Sequence, residues 1–288
     1  PLFTASAAAS VPRMSSLCPQ ALANTSWSFA SILFDDRPLF DALSSQALPL
    51  LAQFSQQHLT NTVWAYARVE YCNRPLLAAM AASAIASIDK FPAQGVANFV
   101  WAFAKLLYVD LPFLDAIACR AQASLVDYSP QNLAMTAWAV AKMEFVDAPL
   151  MDALSAGAQA KIADLNPQNI TNMAWAYATV QLPDHPLMNS LSASALRILS
   201  AFNPQNLANT AWSFAVRGIA DGPLLEAISA CAWSLMGQFS PQNLSNTVWS
   251  FAAVMFRNGL LSEAVASRAT QVLGEPEPQS TANTTWTF

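Results

Sequence analysis

Tryptophan stands at Trp27, Trp64, Trp101, Trp138, Trp175, Trp212, Trp249 and Trp286, always 37 residues apart, and only Trp233 lies off this grid. A fixed long period marks a tandem array, whose units cannot bury their apolar faces alone and must stack on their neighbours. Other columns keep the same step. Gln stands seven residues before each grid Trp, from Gln20 to Gln279. Asn stands three before it, with Met135 the exception, and Pro stands eleven after it from Pro38 to Pro223. The chain is therefore expected to form one helical-repeat array over 1–288, with seven full repeats over 19–277. Residues 1–18 align with the second helix of a truncated repeat, and residues 278–288 with the start of another.

Each repeat reads as a pair of helices. Ser129-Pro130, Asn166-Pro167, Asn203-Pro204 and Ser240-Pro241 place an N-cap side chain before a proline at the first helical position, where the missing N–H costs nothing. About four turns without a breaker follow, as in Pro204 to Ala215. Asp or Asn then recurs nine residues after the Trp of every full repeat (Asp36, Asn73, Asp110, Asp147, Asp184, Asp221, Asn258), two residues before the second Pro at all but Asn258, and is expected to cap an Ala/Leu-rich second helix. Glycine is scarce, at seven residues, and no extended β-branched run occurs. The expected fold class is all-α: an α-solenoid of 37-residue helix-turn-helix repeats forming a right-handed superhelix.

Composition closes off several alternatives. With 54% hydrophobic and 11% charged residues, the chain can bury enough surface to order itself, which excludes disorder. No apolar run reaches the roughly 18–20 residues of a membrane span, so no membrane insertion is expected. Cys18, Cys72, Cys119 and Cys231 are scattered and only two histidines occur, so neither a metal site nor a disulfide framework is expected. The net charge of −5 is unusual for a nucleic-acid binder. Part of it is architectural: Asp36, Asp110, Asp147, Asp184 and Asp221 fall at second-helix caps, and Asp41, Asp115, Asp152, Glu226 and Glu263 are expected in the first turn, where the helix dipole favours them.

On a wheel of about 100° per residue, Leu207, Thr210, Ala211, Phe214 and Ala215 cover a broad apolar arc of the first helix. A narrow strip beside the Trp remains. It holds the Gln, the Asn, the small residue after the Trp, and two variable columns. Four after the Trp, Arg68, Lys105 and Lys142 occupy one slot in three consecutive repeats and are expected to line up as a basic stripe. Six before the Trp stand His58, Asn132, Asn169, Asn206 and Asn243, with Ala21 and Gly95 in the remaining repeats. A residue that repeats identically cannot tell one base from the next. The Gln and Asn ladders are therefore expected to satisfy backbone groups of adjacent repeats. The Trp ladder is expected to pack between repeats, with a base-stacking platform as the alternative. Glu70 and Glu144, two residues beyond the cationic slot, are expected to point elsewhere. Walker, G-x-G-x-x-G, H-E-x-x-H and G-x-S-x-G motifs are all missing, so neither catalysis nor a cofactor is expected.

The segment Asn203-Pro204-Gln205-Asn206-Leu207-Ala208-Asn209-Thr210-Ala211-Trp212-Ser213-Phe214-Ala215 resembles the octotricopeptide repeats of algal and protist organelle proteins, and the likeness spans essentially the whole chain. The resemblance implies an α-solenoid located in a chloroplast or mitochondrion that binds RNA to govern transcript stability, processing or translation. Members often end in a separate RAP domain. Two functions are carried forward. In the first, the array binds single-stranded RNA, with Arg68, Lys105 and Lys142 on phosphates and His58, Asn132, Asn169, Asn206 and Asn243 meeting bases. In the second, it is a protein–protein scaffold or a structural subunit of a larger organellar assembly.

Overall fold

A computed structural model describes residues 16–256. The expected half-repeat at 278–288 with Trp286, residues 1–15 of the one at 1–18, and the second helix of the seventh repeat lie outside the described residues. Thirteen α-helices and no strand occur among those described. Helices α1 (Pro19–Ser31) and α2 (Arg37–Ala47) form the first hairpin, α3 (Gln56–Arg68) and α4 (Arg74–Ile85) the second, and α5 (Ala93–Lys105) and α6 (Leu111–Ala123) the third. Then come α7 (Pro130–Lys142) with α8 (Ala148–Ala160), α9 (Pro167–Thr179) with α10 (His185–Ile198), and α11 (Pro204–Val216) with α12 (Gly222–Leu235). The first helix of the seventh repeat is α13 (Pro241–Ala253).

The contacts divide the chain into two compact units, one ending at Leu154 and the other beginning at Ser155. In the first, α1 packs on α3, α3 on α5 and α5 on α7, while α4 packs on α6. In the second, α9 packs on α11 and α11 on α13, while α10 packs on α12. Each unit is thus an α-solenoid in which a layer of first helices lies beside a layer of second helices.

Local chemistry starts most of the helices. The side chains of Ser129, Asn166, Asn203 and Ser240 accept the N–H three residues on, ahead of a proline at the first position. Second helices repeat the device, with Asp36 accepting from Leu39 at 3.0 Å, Asp110 from Phe113 at 3.0 Å and Asp221 from Leu224 at 3.1 Å. Each such cap is worth about 1 kcal/mol. One expectation fails here. Asp41, Asp115, Asp152 and Glu226 are the fifth residues of α2, α6, α8 and α12, so they lie beyond the first turn and outside the strongest field of the helix dipole.

The first helices end in a way the sequence does not announce. The residue six after each Trp has a left-handed backbone: Leu33 (φ 55°), Glu70 (53°), Leu107 (51°), Glu144 (56°), Gln181 (56°), Gly218 (64°) and Met255 (53°). Around it the chain closes a Schellman motif, with the Leu33 N–H donating to Ala30 O at 3.0 Å and the Phe34 N–H to Phe29 O at 3.0 Å. The same pair of bonds recurs at Leu107–Tyr108 and Gly218–Ile219. An apolar contact completes it, as Phe29 packs on Phe34, Phe103 on Tyr108 and Phe251 on Phe256 at centroid distances of 5.6, 5.0 and 5.5 Å. Six of the seven residues carry a side chain where glycine is the easy choice, and at four of those six an aromatic pair packs across the turn and offsets the backbone strain.

Candidate nucleic-acid interface

Only a narrow arc of each first helix meets solvent. Past the first residue, from α5 to α11 it holds four columns: the exposed Gln, the half-buried Asn or Met135, the half-buried Trp, and the residue four after the Trp; α3 adds the half-buried His58, and α13 adds the exposed Ala252 and the half-buried Asn243 and Val248. On α1 the arc is wider, with Asn24 and Trp27 exposed, the latter at 47%. These columns fall within about 60° of the helix circumference. The small residue after the Trp was expected on this strip, yet Ala65, Ala102, Ala139, Ala176, Ser213 and Ser250 are fully buried. A side chain at that position faces the adjacent first helix, and only a small one lets the two backbones approach.

The column six before the Trp also leaves the strip. Asn132, Asn169 and Asn206 are buried at 8, 4 and 4% exposure. Asn169 and Asn206 complete capping boxes: the Asn166 N–H donates to Asn169 Oδ1 and the Asn203 N–H to Asn206 Oδ1, each at 3.3 Å. His58 does the same with its ring, where Nδ1 accepts the Ser55 N–H at 3.3 Å. The Asn132 and Asn243 N–H groups donate to Ser129 and Ser240 Oγ. The side chains of His58, Asn169 and Asn206 are therefore engaged in helix capping rather than held free for a base.

The Gln and Asn ladders move the other way. Every Gln from Gln20 to Gln242 is exposed, and the hydrogen bonds of the two columns among the described residues stay within one helix. Gln168 Nε2 donates to Asn172 Oδ1 at 2.8 Å, and Gln131 Nε2 to Met135 Sδ at 3.6 Å. Among the described residues the ladders satisfy no backbone group of an adjacent repeat. They present free carboxamide edges to solvent.

Arg68, Lys105 and Lys142 are the last residues of α3, α5 and α7, all three exposed at the same end of consecutive helices of one unit. Lys105 Nζ lies 2.9 Å from Glu70 Oε1. The expectation that Glu70 points elsewhere fails, because its left-handed backbone takes it off the helical wheel. The ammonium of Lys105 holds the Glu70 carboxyl below its ordinary range. Beside the cations runs the Trp row. The Trp27 ring centroid lies 6.2 Å from that of Trp64 at an interplanar angle of 30°, and Trp175 lies 6.5 Å from Trp212 at 25°. In these two pairs the indoles of successive repeats lie against each other while keeping part of their surface in solvent.

Charge is segregated more sharply than the net value suggests. None of the eighteen acidic residues lies in a first helix among those described, and Arg68, Lys105 and Lys142 are the charged residues that do. The signal was present in the sequence once helix boundaries were fixed, and it was masked by the total of −5. The stripe can therefore offer amide hydrogen bonds, indole faces and three cations to a polar, anionic chain, with Glu70 the one acidic group paired to it.

The helical-repeat character agrees with comparison to known proteins. No curated protein matches the chain. The family model of RESC6, RNA-editing substrate-binding complex 6 protein, matches residues 2–148 and again 117–218. Overlapping matches are natural in an array whose repeats align in more than one register. Since those matches cover well over half of the 288 residues, the chain belongs to the RNA-editing substrate-binding complex 6 protein family.

Proposed function

We propose that this protein binds single-stranded RNA along the exposed stripe of its first helices and acts as a non-enzymatic component of an RNA-handling assembly. The observation that carries the reading is the charge segregation: seven helices hold three exposed cations and no anion in a chain of net charge −5. The family's name refers to an RNA-editing substrate-binding complex, which supports the same reading. Arg68, Lys105 and Lys142 contact phosphates, and the half-exposed indoles offer stacking faces to bases. The octotricopeptide likeness supports an organellar location in a chloroplast or mitochondrion. With about three phosphate contacts, log K falls against log salt with a slope near −2.

The test is binding of pooled short RNAs at low salt by the native chain and by the Arg68→Glu/Lys105→Glu/Lys142→Glu variant. Binding by the native chain and its loss in the variant is the expected result. Equal binding by both removes the cationic stripe from the reading, and no binding by either removes RNA.

A second reading, a subunit held by protein partners, has its own observation. Leu196 on α10 and Trp233 on α12 occupy equivalent positions 37 residues apart and are 39 and 50% exposed. Adjacent apolar groups on the second-helix layer suit a protein contact. The two readings use different layers and are compatible. Among the described residues no helix is long and apolar enough to cross a membrane.

A further inference from the structure

Where α3 and α5 run side by side, a cleft of about 380 Å³ opens at their N-terminal halves, lined chiefly by Gln57, Thr60 and Asn61 of α3 and by Gln94, Gly95 and Asn98 of α5. Two departures from the repeat meet there. Pro92 is the N-cap of α5, and no side chain caps that helix. Gly95 stands in the column where α7, α9 and α11 carry a buried Asn. In α9 and α11 that Asn folds back onto the N-cap N–H. Pro92 has no N–H to offer, and Gly95 has no side chain to reach it. A Cβ on Gly95 would lie 3.3 Å from both Phe91 and Pro92, so the position is tight for even a methyl group.

The lining carries no charge, so a free phosphate or a metal ion would meet no countercharge there. Its principal groups are five carboxamides, those of Gln56, Gln57, Asn61, Gln94 and Asn98, each presenting a donor and an acceptor side by side. That arrangement complements the edge of a nucleobase, as in the bidentate pairing of Asn or Gln with adenine. The cleft lies near the small end of the roughly 300–1,000 Å³ range of small-molecule sites, which suits one nucleoside. Trp64 and Trp101 follow Asn61 and Asn98 by three residues on the same stripe, within reach of an unstacked base.

We propose that this cleft seats one base of a bound single-stranded RNA between the carboxamides of Gln57, Asn61, Gln94 and Asn98, and thereby fixes the register of the RNA on the array. The inference rests on the RNA reading above and adds a discrete base site to it. Arg68 and Lys105 stand eleven residues beyond Gln57 and Gln94 on the same helices, about 16 Å at the α-helical rise. One nucleotide does not span that distance. The cleft and the cations therefore contribute separately, the first through hydrogen bonds and the second through counterion release.

The experiment measures binding of short oligo(A), oligo(C), oligo(G) and oligo(U) to the full chain by fluorescence anisotropy over a range of salt. The variants are Gln94→Ala/Asn98→Ala and, in the same column of the next repeat, Gln131→Ala. The cleft variant is expected to lose about tenfold in affinity for the preferred homopolymer with an unchanged salt slope. Gln131→Ala is expected to lose no more than about threefold. Photo-crosslinking of the native chain with 4-thiouridine-bearing RNA checks the site independently of any substitution, and adducts are expected on the peptide carrying Gln94 and Asn98. If the native chain binds RNA but the cleft variant binds as well as the native, or adducts form only elsewhere, the cleft is overturned and the RNA reading stands. Absence of RNA binding by the native chain overturns both.

Discussion

Lys105 at the end of α5 is held by Glu70, the left-handed residue that follows α3, so the middle cation of the stripe is tied to the preceding repeat at 2.9 Å. The pair is exposed on both sides, 42% for Lys105 and 70% for Glu70, and its effect is on charge presentation rather than on stability. Arg68 and Lys142 have no such partner among the salt bridges of the described residues.

Removing the Glu70 carboxylate frees Lys105. Glu70→Gln is expected to tighten RNA binding about two- to threefold at low salt and to steepen the salt slope by up to one, with an unchanged unfolding midpoint. Because the Glu70 carboxyl is held below its ordinary range, the pair stays intact at neutral pH and weakens only as pH falls through that lowered value. The native chain and Glu70→Gln are therefore expected to differ in RNA affinity throughout the neutral range. Titrations at two salt concentrations read both effects.

The left-handed residues give a pair of opposite stability predictions. Leu107 is 62% exposed, so Leu107→Gly gives up little packing, relieves the backbone strain and raises stability by roughly 0.5–1 kcal/mol. Gly218→Ala meets no atom within 4 Å, so its cost is backbone strain alone, a loss of roughly 0.5–1 kcal/mol. Urea unfolding of both variants checks the signs, and two shifts in the same direction contradict the argument.

Tyr66 is buried between α2 and α3, where its hydroxyl lies 2.7 Å from Ser44 Oγ and donates to Phe40 O at 2.7 Å. Tyr66→Phe is expected to cost about 1–2 kcal/mol through the lost hydrogen bonds. Burial raises the ionisation of both Tyr66 and Tyr128 well above that of a free phenol. A raised folded-state value means stability is complete below the unfolded phenol pKa and is lost as pH climbs through and past it. The unfolding free energy from urea titration is therefore expected to hold to about pH 10 and then fall, by up to about 1.4 kcal/mol per pH unit for each buried phenol. Tyr66→Phe flattens that alkaline decline.

Caps are the simplest local test. Asp110→Ala removes the acceptor for the Phe113 N–H, and Asn203→Ala removes the one for the Asn206 N–H together with the N-cap half of a capping box. Each is expected to cost about 1 kcal/mol in unfolding free energy. Asp110→Asn retains the acceptor and is expected to recover most of the loss.

The sequence alone determined the period and, over the described residues, the paired helices and most of their starts, because those rest on contacts of a few residues: Ser129 with Asn132, Asp36 with Leu39, proline where no N–H is needed. It also identified Arg68, Lys105 and Lys142 as one row, since equal spacing in a stacked array places equal positions side by side. Tertiary structure decided which arc stays bare. A wheel orders side chains around one axis and carries no information about the two neighbouring helices that cover its flanks. For that reason Ala102 and Asn206 proved buried while Gln94 and Gln205 face solvent. The left-handed turn at Glu70 was equally hidden, because it depends on Tyr66 packing against Tyr71 across the helix end and not on a glycine that the sequence would display.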